Sequence, residues 1–413
     1  MMEERGAALL RPEISSPRAT FLELFFDLAF VFALTRVSQR LIDHLPATGW
    51  TLAVDIGRTL LLFLALWLIW SITTWVTSRY EPERGAIQFV VVGSTFGVLL
   101  MAVALPRAFE ERALPFAAAY VAVMIGRPLF VAIALHGHPR RLVPLRLLAW
   151  SAASAVPWLA GALGPDHLQL LLWVLALIMD YVGLVAGWPL PRLGPAPARG
   201  WRIAGEHLAE RYQQIFLISL GESILVIGLT YSGEEFSGEG AAAFVVAFVV
   251  TALLWRIYFH RAGRLLAEAF RVARSPGLLG ATAALTHLFI VLAVLAAAVG
   301  YELVIAHPYG PAKPSWLIFV VGGPVLFLVA RARFEYEIFG RISVSRVAGA
   351  VALLLLIPFL VPRPPMLGLT LVAVVLAAVA VLDALRGRGR PPEGPASPIG
   401  GGAQDGKGRR TTG

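Results

Sequence analysis

Long apolar stretches recur along the whole chain and are separated by short polar loops. Crossing a hydrocarbon core about 30 Å thick takes roughly 20 helical residues. The stretches of suitable length are 20–42, 50–78, 86–105, 113–135, 145–163, 167–188, 206–231, 240–260, 279–306, 315–333, 345–361 and 366–385. Their apolar residues are continuous, not alternating, which favours helices over barrel strands. The pattern predicts an all-α, polytopic integral membrane protein with about 12 transmembrane helices.

Basic residues in the loops support this count. With the N-terminus in the cytoplasm, the external loops hold few basic residues, mainly Arg107, Arg112, Lys313 and Arg363. The arginines assigned to cytoplasmic loops include Arg79, Arg84, Arg140, Arg141, Arg146, Arg192, Arg256, Arg271, Arg331, Arg333, Arg341 and Arg346. By the positive-inside rule, both termini are predicted to be cytoplasmic. The eleventh stretch is short and contains Pro358, so the sequence leaves open whether it crosses the membrane fully.

The two halves of the chain resemble each other. Arg146 opens the fifth stretch as Arg346 opens the eleventh, and Asp180 ends one apolar run as Asp383 ends another. Apolar helices also resemble each other by chance, but the order of the matches is kept, which favours two repeats in one orientation. The predicted parts are a cytoplasmic N-terminal segment (1–19), repeat A with six spans (20–188), a Pro/Gly-rich cytoplasmic linker (189–205), repeat B with six spans (206–385) and a disordered basic cytoplasmic tail (386–413).

Composition excludes several classes of protein. The chain is 58% hydrophobic and only 15% charged, unlike a soluble domain. The net charge of +9 is explained by loop arginines facing anionic lipid, so the expected partner is the lipid bilayer and not nucleic acid. There is no cysteine, and Walker, HExxH and GxSxG motifs are absent, so we expect no enzymatic activity, no cofactor and no metal. The scarcity of lysine is typical of GC-rich bacteria, which suggests a bacterial plasma (inner) membrane.

Two acidic residues interrupt the first apolar stretch, TFLELFFDLAFVFALT at 20–35. At 100° per residue, Thr20, Glu23, Asp27 and Ser38 lie within about 60° of each other on a helix, so they form one polar stripe. A charge in hydrocarbon costs about 2.5–3.5 kcal/mol on insertion scales, so such groups usually face the protein interior or water. Glu23 is expected just inside the cytoplasmic boundary and Asp27 roughly 6 Å deeper.

Acids outnumber permanent cations within the predicted spans. The acids are Glu23, Asp27, Asp55, Asp180, Glu210, Glu222 and Glu302, and the bases are Arg36, Arg58, Arg127 and Arg211. Some of the acids are therefore expected to be protonated or neutralised by a bound cation. The candidates for binding an ion or substrate are Glu23, Asp27, Glu222, Ser223, Asp180 and Arg127, and Glu210 with Arg211 forms a motif at the interface.

The same charges also allow a purely structural interpretation, because buried ion pairs can simply fix helix register. The pairs considered are Arg127 with Asp27 or Asp180, and Arg211 with Glu210 or Glu222. His287 is more typical of a satisfied core histidine than of a ligand. An intramembrane enzyme would need Ser223 beside His287, which the sequence cannot establish.

Several motifs resemble the bacterial low temperature requirement A (LtrA) family. FLELFFDLAFVFALTRVS is similar to that family's first-helix signature, ELFFDLVFVFAITQLS, and HLAERYQQIFLISLGESILVIG at 207–228 is similar to its ERFGLFVIIALGESI pattern. Here Tyr212-Gln213-Gln214 replaces the usual Phe-Gly-Leu, and His260 stands where the family often has Asp. The resemblance implies a multi-spanning membrane protein of unsettled activity. Its motif residues here are Glu23, Asp27, Glu210, Arg211, Glu222 and Ser223.

The sequence favours a transporter or channel for a cation, a proton or another small solute. Glu23, Asp27 and Glu222 would line a cytoplasm-facing polar cavity between the halves. The alternative is a non-transport sensor or scaffold in which the acids form ion pairs and the basic loop 256–278 binds a partner. The two hypotheses differ in whether the acids converge on a cavity or are each capped by arginine.

Overall fold

A computed structural model of the chain describes residues 9–10, 18–194, 204–233, 236–260, 262–273, 275–309, 313–387, 394–396 and 398. Every regular element within these residues is a helix, which confirms the predicted all-helical class. Most of the predicted N-terminal segment, the centre of the predicted linker and most of the predicted tail lie outside the described residues.

The main helices follow the predicted apolar stretches closely. They are α1 (Phe21–His44), α2 (Gly49–Thr77), α3 (Gly85–Ala104), α4 (Ala113–Ala134), α5 (Leu142–Leu163), α6 (Asp166–Ala186), α7 (Gly205–Gly233), α8 (Gly238–Phe259), α9 (Ala262–Val272), α10 (Pro276–Ala306), α11 (Leu317–Val320), α12 (Gly322–Phe339), α13 (Val344–Leu360) and α14 (Pro365–Gly387). The tenth stretch is divided between α11 and α12, and α9 is the helix that the apolar pattern did not predict.

Ten helical segments among the described residues are long and apolar enough to cross a membrane. Two further helices complete the twelve predicted stretches. One is α1, whose acidic and basic residues lower its hydropathy, and the other is α13, which has 17 residues. Length and composition therefore establish a polytopic helical protein.

The helices pack in the same order in the two halves. In the first half α1 contacts α2 and α3, α3 contacts α4, α4 contacts α5, α5 contacts α6, and α6 returns to α2. In the second half α7 contacts α8 and α10, α10 contacts α12, α12 contacts α13, α13 contacts α14, and α14 returns to α8. The halves meet mainly where α1 lies against α7 and α10. The first helix of each half thus lies at the contact between them.

Helix α10 lies at the centre of the second half, and glycines bring its neighbours into backbone contact. A Cβ at Gly300 would lie 2.9 Å from the Cα of Val320, and a Cβ at Gly323 would lie 2.6 Å from the backbone nitrogen of Ala297. Small residues at such crossings let membrane helices approach closely, which is the main source of packing energy within a bilayer.

The variant Gly323→Ala is expected to lower the free energy of unfolding by about 1–3 kcal/mol, because its new methyl group meets backbone atoms that cannot rotate away. Thermal unfolding in detergent measures the effect. Gly221→Ala is the matched control, since a Cβ there has nothing within 4 Å. Equal melting temperatures for the two variants would contradict the close backbone contact.

Helix α9 occupies the segment predicted as a basic loop. Leu266, Ala269 and Phe270 are buried, and α9 packs against α7 and α12. Arg271 on its exposed side pairs with Glu206 at 2.7 Å. The segment was predicted as a loop because eleven amphipathic residues are too short and too polar to read as a membrane span. It is an amphipathic helix packed against the bundle.

Candidate functional site

Helices α1 and α7 run parallel and in constant register. Glu23 contacts His207 and Asp27 contacts Arg211, two pairs that are each separated by 184 residues in sequence. Eleven residues further along both helices, Ser38 lies beside Glu222 at the same separation. Eleven helical residues span about 16 Å. The two helices therefore hold two groups of polar side chains, one near their N-terminal ends and one much deeper.

The first group, the Arg211 cluster, contains Glu23, Asp27, Trp70, His207 and Arg211. Arg211 donates both terminal nitrogens to Asp27, at 2.6 Å and 2.8 Å. The Trp70 indole donates to the same carboxylate at 3.3 Å, and its ring lies 5.7 Å from the Arg211 guanidinium. This is the planar two-point pairing for which arginine is suited.

Glu23 belongs to the same cluster and also begins the first helix. Its carboxylate lies 3.0 Å from His207 Nε2 and 3.7 Å from Arg211 Nε. It also accepts from the backbone nitrogen of Thr20 at 2.9 Å, and the Thr20 hydroxyl accepts from the Glu23 backbone in return. This capping box satisfies donors that the helix itself leaves unbonded. The Glu23 carboxylate thus has His207, Arg211 and Thr20 as structural partners.

The predicted partners of Arg211 need correction. Its carboxylate partners are Asp27 and Glu23 of α1, whereas the sequence suggested Glu210 or Glu222 on its own helix. Glu210 is half-buried and accepts from Gln214 at 3.4 Å. Spacing along one helix identifies neighbours on that helix only, which is why the contact to α1 was missed.

The second group, the Glu222 site, contains Ser38, Glu222, Thr251 and Tyr301. One residue comes from each of α1, α7, α8 and α10, and all four are buried. Neither carboxylate oxygen of Glu222 has a hydrogen-bond partner among the described residues, and the same holds for the hydroxyls of Ser38 and Tyr301. Buried polar groups are nearly always bonded, so this concentration of unbonded oxygens is unusual.

Two more acids continue from the Glu222 site toward the surface. Glu302 of α10 interacts electrostatically with Glu222, and Asp43 near the end of α1 interacts with Glu302. Their exposure rises in that order, from buried Glu222 through half-buried Glu302 to exposed Asp43. The sequence placed Glu302 among the acids of the predicted spans but gave no connection between it and Glu222.

Glu23, Asp27 and Glu222 do not converge on one cavity. The two α1 acids are tied to Arg211 and His207, while Glu222 lies about 16 Å along α7 from the level of Arg211. We expected the three acids to share one site. In the structure Glu23 and Asp27 are charge-paired in the Arg211 cluster, and Glu222 is a separate carboxyl group without such a pair.

Asp180 lies in a third location, within the first half. It is buried and accepts from the Tyr120 hydroxyl at 2.8 Å and the Trp158 indole at 3.3 Å. Its predicted equivalent, Asp383, instead pairs with Arg346 at 2.8 Å. Neutral donors thus satisfy Asp180, and Arg127 is not its partner.

Arg127 is buried on α4 without a carboxylate partner among the described residues. It donates to the Thr73 hydroxyl at 2.9 Å and to the Ile69 carbonyl at 3.4 Å, both on α2. The predicted pairing with Asp27 or Asp180 is therefore wrong, and the arginine instead ties α4 to α2.

Ser223 and His287 lie apart. Ser223 donates to the Leu220 carbonyl of its own helix at 2.8 Å. His287 is bonded to the Tyr258 hydroxyl at 2.8 Å and to the Ala283 carbonyl at 2.7 Å. Its ring stacks on Tyr212, which lies on the same helix as Ser223 but eleven residues before it. His287 is a satisfied core histidine, and a Ser–His pair is not formed.

Three arginines assigned to cytoplasmic loops are instead buried in helices. Arg331 donates to the carbonyls of Ile257, Tyr258 and His260 at the end of α8. Arg346 pairs with Glu335 and Asp383, and Arg146 donates to carbonyls that follow α6. These arginines fasten helix ends, so not every basic residue counted for topology is a free loop charge.

Comparison with known proteins agrees with this architecture. Residues 18–381 match the family model described as bacterial low temperature requirement A protein (LtrA). The chain is also similar to an uncharacterized protein, RA0937, of Rhizobium meliloti (strain 1021), with 35% identity over 335 residues that cover 79% of this chain and 80% of the relative. Residues 18–381 include the positions of both the Arg211 cluster and the Glu222 site. The chain belongs to the bacterial low temperature requirement A family of multi-pass membrane proteins.

Proposed function

We propose that this protein is a transporter or channel of the bacterial inner membrane that moves a cation, a proton or another small solute, with Glu222 as the group that binds it. It has twelve spans in two six-helix repeats, with both termini in the cytoplasm, and no enzymatic activity. The Arg211 cluster holds the two halves together and does not itself bind the solute.

The observation that carries this proposal is the isolation of Glu222. Its side chain is fully buried, and neither carboxylate oxygen is bonded within the described residues. An ionised carboxylate in such a place is very unfavourable without a partner, so it carries a proton or a bound cation. Intramembrane acids of this kind commonly mark ion pathways and proton relays.

Two features support the proposed topology. The order of helix packing is the same in the two halves, as expected of two repeats. Because α1 and α7 are parallel, an even number of crossings separates their N-terminal ends. Six spans from α1 to α6 meet that requirement, and they place the short α13 in the second half as the counterpart of α5. Repeats related by an axis along the membrane normal are a common transporter design, with binding sites near the repeat interface.

The test is ion flux into proteoliposomes containing the purified protein, followed with a pH-sensitive dye and a panel of cations. Glu222→Gln is expected to reduce flux to the level of empty liposomes, because the amide can neither release a proton nor balance a cation. Glu239→Gln removes an exposed acid and is expected to leave flux unchanged. The melting temperature of each variant verifies folding, and Glu222→Asp provides a second variant that keeps the charge.

Flux that persists in folded Glu222→Gln would contradict the assigned role. If the wild type passes no cation and no proton, the acids are structural and the sensor or scaffold alternative is favoured. The exposed side of α9 would then be the first surface to examine for a partner.

A further inference from the structure

We propose that the Glu222 site is a binding site for a dehydrated monovalent metal cation, reached from the surface by way of Asp43 and Glu302. This inference rests on the proposed function and adds the class of ion, the ligands and the side of access. Ser38, Thr251 and Tyr301 are the neutral ligands that accompany the single carboxylate.

The side-chain oxygens near Glu222 come from α1, α8 and α10, and their residues are buried. The Ser38 hydroxyl of α1 adjoins the carboxyl group, and Tyr301 of α10 interacts with it electrostatically. Thr251 of α8 lies beside Tyr301 and donates its own proton to the Ala247 carbonyl at 3.1 Å, which leaves its oxygen lone pairs free. The site therefore offers five side-chain oxygens, and oxygen ligands suit hard cations.

Charge selects the class of cation. The site has one fully buried carboxylate, and the interactions of Glu222 include no arginine, lysine or histidine. One negative charge balances one monovalent cation. Calcium usually takes six to eight oxygens with several carboxylates, and magnesium retains waters that a tightly buried site excludes. Several hydroxyl oxygens can coordinate one metal ion at the same time. A proton on Glu222 would need only one of these oxygens as its acceptor.

The graded exposure of three acids indicates the side from which a cation reaches the Glu222 site. Asp43 is exposed, Glu302 is half-buried and Glu222 is buried, and neighbouring members interact electrostatically. Like charges placed together raise each other's energy unless a cation lies nearby. At the other end of α1 and α7, the acids of the Arg211 cluster are already paired with Arg211 and His207 and offer no free carboxylate to an entering cation. Cations are thus expected to enter from the end of the bundle that contains His44 and Gly233.

The experiment is thermal unfolding of the purified full-length protein in detergent with Li⁺, Na⁺ or K⁺ chloride, at ionic strength held constant with N-methyl-D-glucamine. A cation that binds only the folded state raises the melting temperature as its concentration grows. Ser38→Ala and Tyr301→Phe are expected to weaken the apparent affinity at least about tenfold, the effect of losing one good ligand. Glu222→Gln is expected to abolish the shift.

Matched controls separate ligand loss from general destabilisation. Ser94→Ala removes a buried hydroxyl that already donates to the Val90 carbonyl, and Glu239→Gln removes an exposed acid; both should keep the full cation-dependent shift. Glu302→Gln should slow cation uptake in liposomes more than it lowers affinity.

The possible outcomes are distinguishable. A melting temperature that does not depend on the cation, together with proton flux that requires Glu222, would overturn the metal-ion site and leave the proposed transport function intact. A cation shift that survives Ser38→Ala and Tyr301→Phe would also overturn it. Selective cation binding without flux would support the site and count against transport.

Discussion

Replacing Arg211 with glutamine is expected to lower the free energy of unfolding by about 3–5 kcal/mol, the cost of removing one partner from a buried ion pair. Asp27 would lose two charge-assisted hydrogen bonds, and Glu23 would keep only His207 and Thr20 as partners. Neither carboxylate is exposed enough to recover water. Unfolding by denaturing detergent in mixed micelles gives the free energy directly.

The double variant Asp27→Asn with Arg211→Gln tests whether the lost stability comes from the Asp27–Arg211 ion pair. Removing both charges is expected to restore part of the stability, with a coupling energy of about 1–3 kcal/mol. Arg271→Gln is the matched control, because the Arg271–Glu206 pair is also short, at 2.7 Å, but its side chains are 64% and 40% exposed. An exposed pair contributes less than about 1 kcal/mol. If Arg211→Gln costs no more than Arg271→Gln, the cluster does not hold the halves together.

Arg331→Met is expected to be the second most damaging change, at about 2–4 kcal/mol. The arginine is fully buried and bonds three carbonyls at the end of α8, at 3.2 Å, 3.1 Å and 2.8 Å. Methionine fills a similar volume but donates nothing, and each buried carbonyl left without a donor costs about 1–3 kcal/mol. The loss is smaller than the sum because burying the charge of Arg331 is itself unfavourable.

Hydrogen exchange localises this effect. Amides in the last turn of α8 should exchange faster in Arg331→Met, while those of α1 should not change. Arg107→Met is the control: that side chain is 58% exposed and pairs at 2.6 Å with Glu111, which is 55% exposed, so its loss should leave the stability nearly unchanged. Unchanged exchange at the end of α8 in Arg331→Met would contradict the capping role.

The fold could be predicted because each membrane helix corresponds to one continuous apolar stretch of the sequence. Each of the twelve apolar stretches coincides with helix, since in hydrocarbon the chain must satisfy its backbone groups within one segment. The division at Val321 was not predicted, and neither were the close contacts of Gly300 and Gly323 with neighbouring backbones. Such contacts have no signature in hydropathy.

The sequence singled out the charged residues that the structure places in the two polar groups, but it did not predict the grouping. Glu23, Asp27, Arg211 and Glu222 were all singled out as costly in a membrane. Their partners were not found, because which helices lie together is a tertiary property. The constant separation of 184 residues between α1 and α7 is visible only once both helices are placed. Ser38 was placed on the polar stripe of the first helix but not beside Glu222, and Tyr301 gave no signal, since a hydroxyl in an apolar helix is ordinary.

The parallel contact between α1 and α7 also has a consequence for how the protein is made. Asp27 leaves the ribosome 184 residues before Arg211 does. At about 5–20 residues per second, the interval is roughly 10–40 s, while five further apolar helices are synthesised. During that time the first helix has its acids but not the arginine that pairs with them. The contact between the two halves at Asp27 and Arg211 therefore cannot form until α7 has been synthesised.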